Sequence, residues 1–177
     1  MERRLSPAMI ALMAVLIALT AVFTIAIQIP IPATQGYWNL SDAAITFAAL
    51  AFGPWVGGVA GGVGTALADL ATGYAQYAPI SLLAHGLEGF LIGWLGRGRR
   101  SLPGMILAWA AGATAMVLIY LLGGAVLKGW PAALAEVPFN VIQAVMGAVI
   151  GIPLVIAVRK AYPAIDQIGR PRKWTEE

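Results

Sequence analysis

Side chains capable of chemistry recur at helical spacing in two places along an otherwise apolar chain. Each set combines one carboxylate with two other hydrogen-bonding side chains at positions i, i+4 and i+7; the sets are Ser81, His85 and Glu88, and Glu136, Asn140 and Gln143. This spacing places three side chains on one face of a helix, so each set predicts a polar stripe. Such stripes are typical of hydrogen-bonded networks between helices or of a small-molecule site.

The composition indicates where these helices lie. Apolar residues make up 60% of the 177 residues, charged residues 11%, and the mean hydropathy is +0.82. A soluble domain carries about 25% charged residues, and a chain of this length could not bury so much apolar surface in one core. The sequence therefore predicts an all-α integral membrane protein, in which both polar stripes point into the helix bundle and away from lipid.

Enzymatic and metal-dependent functions are disfavoured by the residue types. The chain has no cysteine and one histidine, and the sequence shows no His/Asp/Glu cluster at ligand spacing, which argues against a metal site. His85 and Ser81 lie side by side on one helix without an evident oxyanion donor, so a catalytic dyad is not expected. The glycine-rich run GGVAGGVG lacks the GK[ST] of a phosphate-binding loop. We predict no catalytic residues, no metal and no cofactor.

The positive charges determine the predicted number of membrane spans. Apolar segments at about 6–28, 41–52, 55–71, 79–95, 103–127 and 137–158 give six spans in one domain, 1–160, followed by a basic tail, 161–177. With six spans, all but one of the 11 Lys and Arg residues lie on one side, Lys128 being the exception. The positive-inside rule makes that side cytoplasmic. The net charge of +3 is thus explained by basic residues on the cytoplasmic side of the plasma membrane and does not indicate nucleic-acid binding.

The second predicted helix is too short to cross a bilayer by itself. Residues 41–52 span about 18 Å, against a hydrocarbon core of about 30 Å. Its ends must therefore be covered by protein or by an aqueous cavity. The apolar loop Ile29–Leu40, with Trp38, is a candidate cover at the outer face, although Trp38 is equally compatible with an anchor at the lipid headgroups.

Small residues at four-residue spacing predict close helix packing. Gly57/Gly61 and Gly58/Gly62 form such a face in the third span, and Gly147/Gly151 in the last. The first span carries an AxxxA pair, Ala14 and Ala18. That pair is compatible either with packing inside the protein or with docking of a partner's helices.

Two aspartates are interpreted as structural. Asp42 follows Ser41 at the start of the second helix and is expected to be its N-cap. Asp69 precedes Gly73 at the outer end of the third span and is expected to hold the connecting loop.

Aromatic residues at the outer level accompany the two polar stripes. Aromatic faces with converging polar groups suit a flat heterocycle with a polar edge. The predicted substrate-binding residues are Trp38, Tyr74, Tyr77, His85, Glu88, Tyr120, Asn140 and Gln143. The alternative is a network in which the two stripes partner each other and bind no ligand.

The order of short motifs along the chain resembles a known family. The motifs are Asn39-Leu-Ser-Asp42, Ala51-Phe-Gly-Pro54, Gly61-Gly-Val-Gly64, Ala66-Leu-Ala-Asp69-Leu, Gly73-Tyr74 and Leu83-Ala-His85-Gly-Leu-Glu88-Gly. Together they resemble the substrate-binding S component of energy-coupling factor (ECF) vitamin transporters, in the riboflavin/hydroxymethylpyrimidine-type branch. The similarity covers about residues 14–96, and the remainder matches by span pattern.

The resemblance implies a fold, a cargo and partners. It implies six helices, a site near the outer face with the first loop as lid, and capture of a vitamin or vitamin precursor. Hydroxymethylpyrimidine is the first expectation, with pyridoxine, riboflavin and thiamine open. It also implies that Ala14 and Ala18 dock onto a membrane coupling subunit that works with two cytoplasmic ATPases. His85 stands where many relatives have lysine, which leaves the cargo open.

Two functions from other classes compete with transport by an S component. One is a structural or assembly membrane protein whose polar stripes only join helices. The other is a solitary proton-coupled carrier using Glu88 and His85, although no internal repeat supports a secondary transporter.

Overall fold

The computed structural model describes residues 6–32 and 34–168. These residues form six α-helices, one two-stranded hairpin and a short 3-10 helix. Their bounds are α1 Pro7–Ala26, β1 Ile29–Ile31, β2 Gly36–Trp38, α2 Ser41–Phe52, α3 Pro54–Thr72, α4 Ala78–Gly96, α5 Leu102–Lys128, α6 Trp130–Ala161 and the 3-10 helix Pro163–Gln167. The predicted basic residues Arg3, Arg4, Arg170, Arg172 and Lys173 lie outside the described residues.

The all-helical prediction is confirmed except in the first loop. There β1 and β2 pair antiparallel, with Ile29 opposite Trp38 and Ile31 opposite Gly36. The short hairpin satisfies backbone hydrogen bonds locally, as a segment next to the apolar phase requires. In the described part of the chain, four helices are long and apolar enough to cross a membrane, namely α1, α4, α5 and α6.

The last helix begins earlier than the sequence predicted. We expected a span from residue 137, whereas α6 starts at Trp130 and runs for 32 residues. Gly129 separates it from α5 with a φ of +86°, a value that suits glycine, and Pro131 occupies the first turn, where its missing N–H costs little. The consequence is that Glu136 lies within the second turn of α6 and not in a loop.

The short helix α2 is enclosed by the other helices. Every residue of α2 except Phe47 is buried, so lipid does not contact this helix along its length. At its C-terminal end the Leu50 carbonyl accepts a hydrogen bond of 2.9 Å from Arg159 Nη2. At its N-terminal end the Ser41 backbone N–H donates to Asn39 Oδ1 of the preceding loop at 2.8 Å. Of the two predicted covers, protein or an aqueous cavity, protein therefore contacts both ends.

Glycines set the closest helix–helix distances. An added Cβ at Gly61 would lie 2.6 Å from the His85 carbonyl oxygen, and one at Gly57 would lie 2.8 Å from that of Gly89, so α3 packs backbone to backbone on α4. Gly151 similarly packs on Thr46 of α2. The predicted small-residue faces are therefore confirmed, and they bring the polar positions of α2, α4 and α6 together.

Basic and polar groups separate to opposite ends of the bundle. At one end Arg159 Nε donates to Asp166 Oδ1 (2.8 Å), its Nη1 donates to the Arg99 carbonyl (3.0 Å), and Arg100 pairs with Asp166 (3.1 Å). The opposite end carries the hairpin, Lys128 and the polar residues described next.

Candidate functional site

A small polar cavity lies at the hairpin end of the bundle. Its volume is about 20 Å³, roughly the space of one water molecule. The hairpin and the ends of α3 to α6 contribute its walls. The lining residues are Gly36, Tyr37, Asn39, Asp69, Tyr77, Ser81, Tyr120, Glu136, Asn140 and Gln143.

The hairpin closes this cavity through its second strand. The Tyr37 hydroxyl donates to Asp69 Oδ1 of α3, and the Tyr37 ring packs on Tyr74 with centroids 4.6 Å apart. Burial, together with the adjacent Asp69 carboxylate, raises the pKa of the Tyr37 hydroxyl above its usual range, so it remains a protonated donor. Asp69 therefore holds the first loop, and the prediction that it fixes the loop between α3 and α4 is wrong for its side chain.

Lys128 forms a second set of contacts that attach the first loop to the helices. Its ammonium pairs with Glu136 Oε1 of α6 and donates to the Thr34 carbonyl at 3.2 Å. It also donates to the Tyr77 hydroxyl at 2.5 Å, and that hydroxyl contacts both the Thr34 carbonyl (3.1 Å) and Glu136 (3.2 Å). The loop, α4, α5 and α6 are thus connected by one cation at the rim of the cavity.

Asp42 is part of a buried polar cluster. The N-cap of α2 is Leu40, without a side-chain cap, so the prediction of an Asp42 N-cap is wrong. Its Oδ1 instead accepts a 3.1 Å hydrogen bond from Gln143 Nε2 and lies 3.4 Å from His85 Nδ1. The same His85 nitrogen lies 2.8 Å from Glu88 Oε2. The two predicted stripes are therefore joined through Asp42.

The eight predicted substrate-binding residues fall into three places. Tyr77, Tyr120, Asn140 and Gln143 line the cavity. Trp38 and Tyr74 belong to the hairpin and to the Tyr37 packing next to it. His85 and Glu88 lie one and two turns further along α4 than the lining residue Ser81, and the His85 ring packs edge-on against Tyr120 with centroids 5.5 Å apart. They lie outside the cavity lining, behind Tyr120.

Several lining residues were absent from the predicted set. Ser81 and Glu136 belong to the two predicted stripes. The remainder are Gly36, Tyr37, Asn39 and Asp69, with Lys128 at the rim. The available signal was charge: Asp69 and Lys128 interrupt long apolar segments, where ionisable groups are costly. Tyr37 and Asn39 carried no distinguishing signal in a loop.

Ala14 and Ala18 lie away from the cavity. Both are exposed on α1, whereas Leu16, Thr20 and Thr24 form its buried face. Packing inside this chain therefore does not explain the AxxxA pair.

The side chains around the cavity are of types that bind small molecules. Phenol rings, amides and carboxylates converge around the cavity, and they offer stacking faces and both hydrogen-bond donors and acceptors. Small-ligand sites usually enclose about 300–1,000 Å³. A ring-sized molecule could therefore enter only after the hairpin moves and its contacts with Asp69 and Lys128 break.

The fold defines an all-helical protein whose described part has four helices able to cross a membrane, and comparison with known proteins gives its family. A family model described as "ECF-type riboflavin transporter, S component" matches residues 4–160. The chain belongs to this family of transporter S components. The predicted family and its membrane-transport role are thereby confirmed.

Two relatives add detail. A Pyrococcus woesei protein described as "uncharacterized protein in gap 3'region" is 44% identical over 130 residues, which cover 73% of this chain and 87% of the relative. The thiamine precursor transporter HmpT of Lactococcus lactis subsp. cremoris (strain MG1363) is 30% identical over 145 residues, which cover 78% of this chain and 80% of the relative.

Proposed function

We propose that the chain captures hydroxymethylpyrimidine, the pyrimidine part of thiamine, at the outer face of the plasma membrane for uptake driven by partner subunits. The observation that carries this proposal is the polar, aromatic cavity beneath the hairpin, at the end of the bundle opposite the basic residues. The relative HmpT, whose name gives a thiamine precursor as cargo, supports the choice of ligand. Pyridoxine, riboflavin and thiamine are the competing cargoes.

The contacts with the ligand are assigned by position. Tyr77 and Tyr120 offer aromatic faces, and Asn140 and Gln143 offer amide donors and acceptors to the ring edge. Trp38 and Tyr74 act in the lid. His85 and Glu88 act on the ligand through Tyr120, because the Tyr120 ring packs on the His85 ring.

In this proposal the energy for uptake comes from other proteins, and the lack of a GK[ST] phosphate-binding motif in the sequence is consistent with that. We propose a membrane coupling subunit and two cytoplasmic ATPases as partners, with Ala14 and Ala18 as the docking surface. The exposure of both alanines on α1 supports this assignment.

Ligand titration tests the proposed cargo. Isothermal titration of the purified protein in detergent should give saturable 1:1 binding of hydroxymethylpyrimidine, at least about tenfold tighter than pyridoxine, riboflavin or thiamine, a difference of about 1.4 kcal/mol. Tighter binding of riboflavin or thiamine would replace the cargo but retain the class. Binding of none of the four would refute the assignment of the cavity.

Cysteine labelling tests the proposed membrane arrangement, which is six spans within residues 1–160 and cytoplasmic termini. The chain has no native cysteine, so single substitutions report one position each. Gln35→Cys, at an exposed position of the first loop, and Gly129→Cys should react with a membrane-impermeant maleimide in whole cells. Gly98→Cys, in the basic turn between α4 and α5, should react only after permeabilisation. Labelling of Gly98→Cys in intact cells would contradict six spans.

A further inference from the structure

The buried cluster Asp42–His85–Glu88 brings three metal-binding side chains together. Asp42 comes from α2, and His85 and Glu88 come from α4. One ligand atom from each lies within 4.8 Å of the others, and all three residues are buried. The sequence argued against a metal site because it has one histidine and shows no His/Asp/Glu cluster at ligand spacing. The glycines of α3 pack on both α2 and α4, so Asp42 lies next to His85 and Glu88 although it is far from them along the chain.

Each of the three side chains retains an unused polar atom. Asp42 Oδ2, Glu88 Oε1 and His85 Nε2 are buried without a hydrogen-bond partner among the described atoms. An unpartnered polar atom in an interior costs about 1–3 kcal/mol, and charged groups cost more. Three such atoms in one cluster indicate that the protein interior does not satisfy it alone.

The charge of the cluster points to a divalent cation. Two carboxylates face one imidazole, and no described lysine or arginine forms an ion pair with Asp42 or Glu88. Lys128 pairs with Glu136 at the rim, and Arg159 pairs with Asp166 at the basic end. Uncompensated carboxylates are expensive at this depth. Two carboxylates, a neutral imidazole and one divalent cation sum to zero charge.

We propose that Asp42, His85 and Glu88 bind a divalent transition-metal ion of the Zn²⁺ type. Imidazole and carboxylate are both ligands of Zn²⁺, with bonds of about 2.1 Å that place tetrahedral ligands about 3.4 Å apart. The present separation of 3.4 Å between His85 Nδ1 and Asp42 Oδ1 matches this value, whereas the 2.8 Å between His85 Nδ1 and Glu88 Oε2 is a hydrogen bond that would lengthen by about 0.6 Å when the metal binds. Gln143 holds Asp42 in place by its 3.1 Å hydrogen bond, as outer partners of metal ligands do.

The bound metal joins α2 to α4 beside the cavity. Three protein ligands leave a fourth position for water or another donor. Binding of the metal involves side chains that do not line the cavity, so it does not depend on which vitamin precursor is the cargo.

Zinc titration of the whole protein tests the proposal. The protein, purified with a histidine-free tag and stripped with EDTA, should bind one Zn²⁺ in isothermal titration without any vitamin present. Asp42→Asn and Glu88→Gln should each weaken this binding at least about tenfold. Asp166→Asn, a carboxylate at the basic end, is the matched control and should bind Zn²⁺ as the unchanged protein does.

The single histidine provides a readout that needs no substitution. His85 is the only histidine in the chain, so histidine labelled with ¹⁵N gives the imidazole signals of one residue. Addition of one equivalent of Zn²⁺ should shift these signals. If the variants fail to fold, this measurement on the unchanged protein tests the proposal in their place. Absence of saturable binding, retention of binding in both variants, or zinc binding with unmoved imidazole signals would each overturn the proposal. If the protein binds zinc but none of the four vitamin ligands, only the proposed cargo is contradicted.

Discussion

Ala18→Trp is expected to abolish copurification with the membrane coupling subunit and to leave hydroxymethylpyrimidine binding by the isolated protein nearly unchanged. Ala14 and Ala18 lie exposed on α1, one turn apart, and form a smooth surface on which another helix can pack closely. An indole at this position holds the two backbones apart. The cavity lies at the hairpin end and includes no residue of α1. Ala14→Trp should behave in the same way.

A second exposed position separates docking from a general effect of added bulk. Leu107→Trp places an indole on α5, where the native side chain is 66% exposed, and should assemble normally. The measurement is copurification of coexpressed subunits, followed by ligand titration of each variant. If Ala14→Trp and Ala18→Trp both assemble normally, α1 is a lipid-facing helix and not part of the docking surface. Joint loss of assembly and ligand binding would indicate a role in the protein's own fold.

Asn140→Ala should weaken hydroxymethylpyrimidine binding by roughly 5- to 150-fold, which corresponds to about 1–3 kcal/mol for a lost hydrogen bond to a buried ligand. Asn140 lines the cavity, and its side chain forms no hydrogen bond to protein among the contacts of the described residues. Removing its amide therefore breaks no visible internal contact. The thermal midpoint of the ligand-free protein should change little, because polar contacts between membrane helices average about 0.6 kcal/mol.

The matched control for this variant is Thr72→Ala. Thr72 lies at the same end of the bundle and its hydroxyl bonds to the Ala68 carbonyl at 2.8 Å, but it does not line the cavity. Isothermal titration should find its ligand affinity unchanged. An Asn140→Ala protein with normal affinity and a lowered thermal midpoint would assign the α6 stripe to helix packing, and the competing structural function would then be favoured.

Much of the fold was readable because its determinants are local. The 12-residue α2 and the glycine faces both follow from residue type and spacing along the chain. The predicted sixth span began at residue 137, inside α6, which also contains Pro138. A proline inside a membrane helix is tolerated when neighbouring groups satisfy the freed carbonyl.

The sequence by itself determined the membrane class, the helices, the family and the inward direction of both polar stripes, because helical periodicity and hydropathy act over a few residues. Only the tertiary structure decided which polar groups meet. Asp42 became a partner of His85 and Gln143 because glycine faces let α3 approach both α2 and α4 and let α6 approach α2. Lys128 of α5 reaches Thr34 of the first loop and Glu136 of α6. Such contacts join residues far apart along the chain, and no local pattern specifies which buried faces will touch.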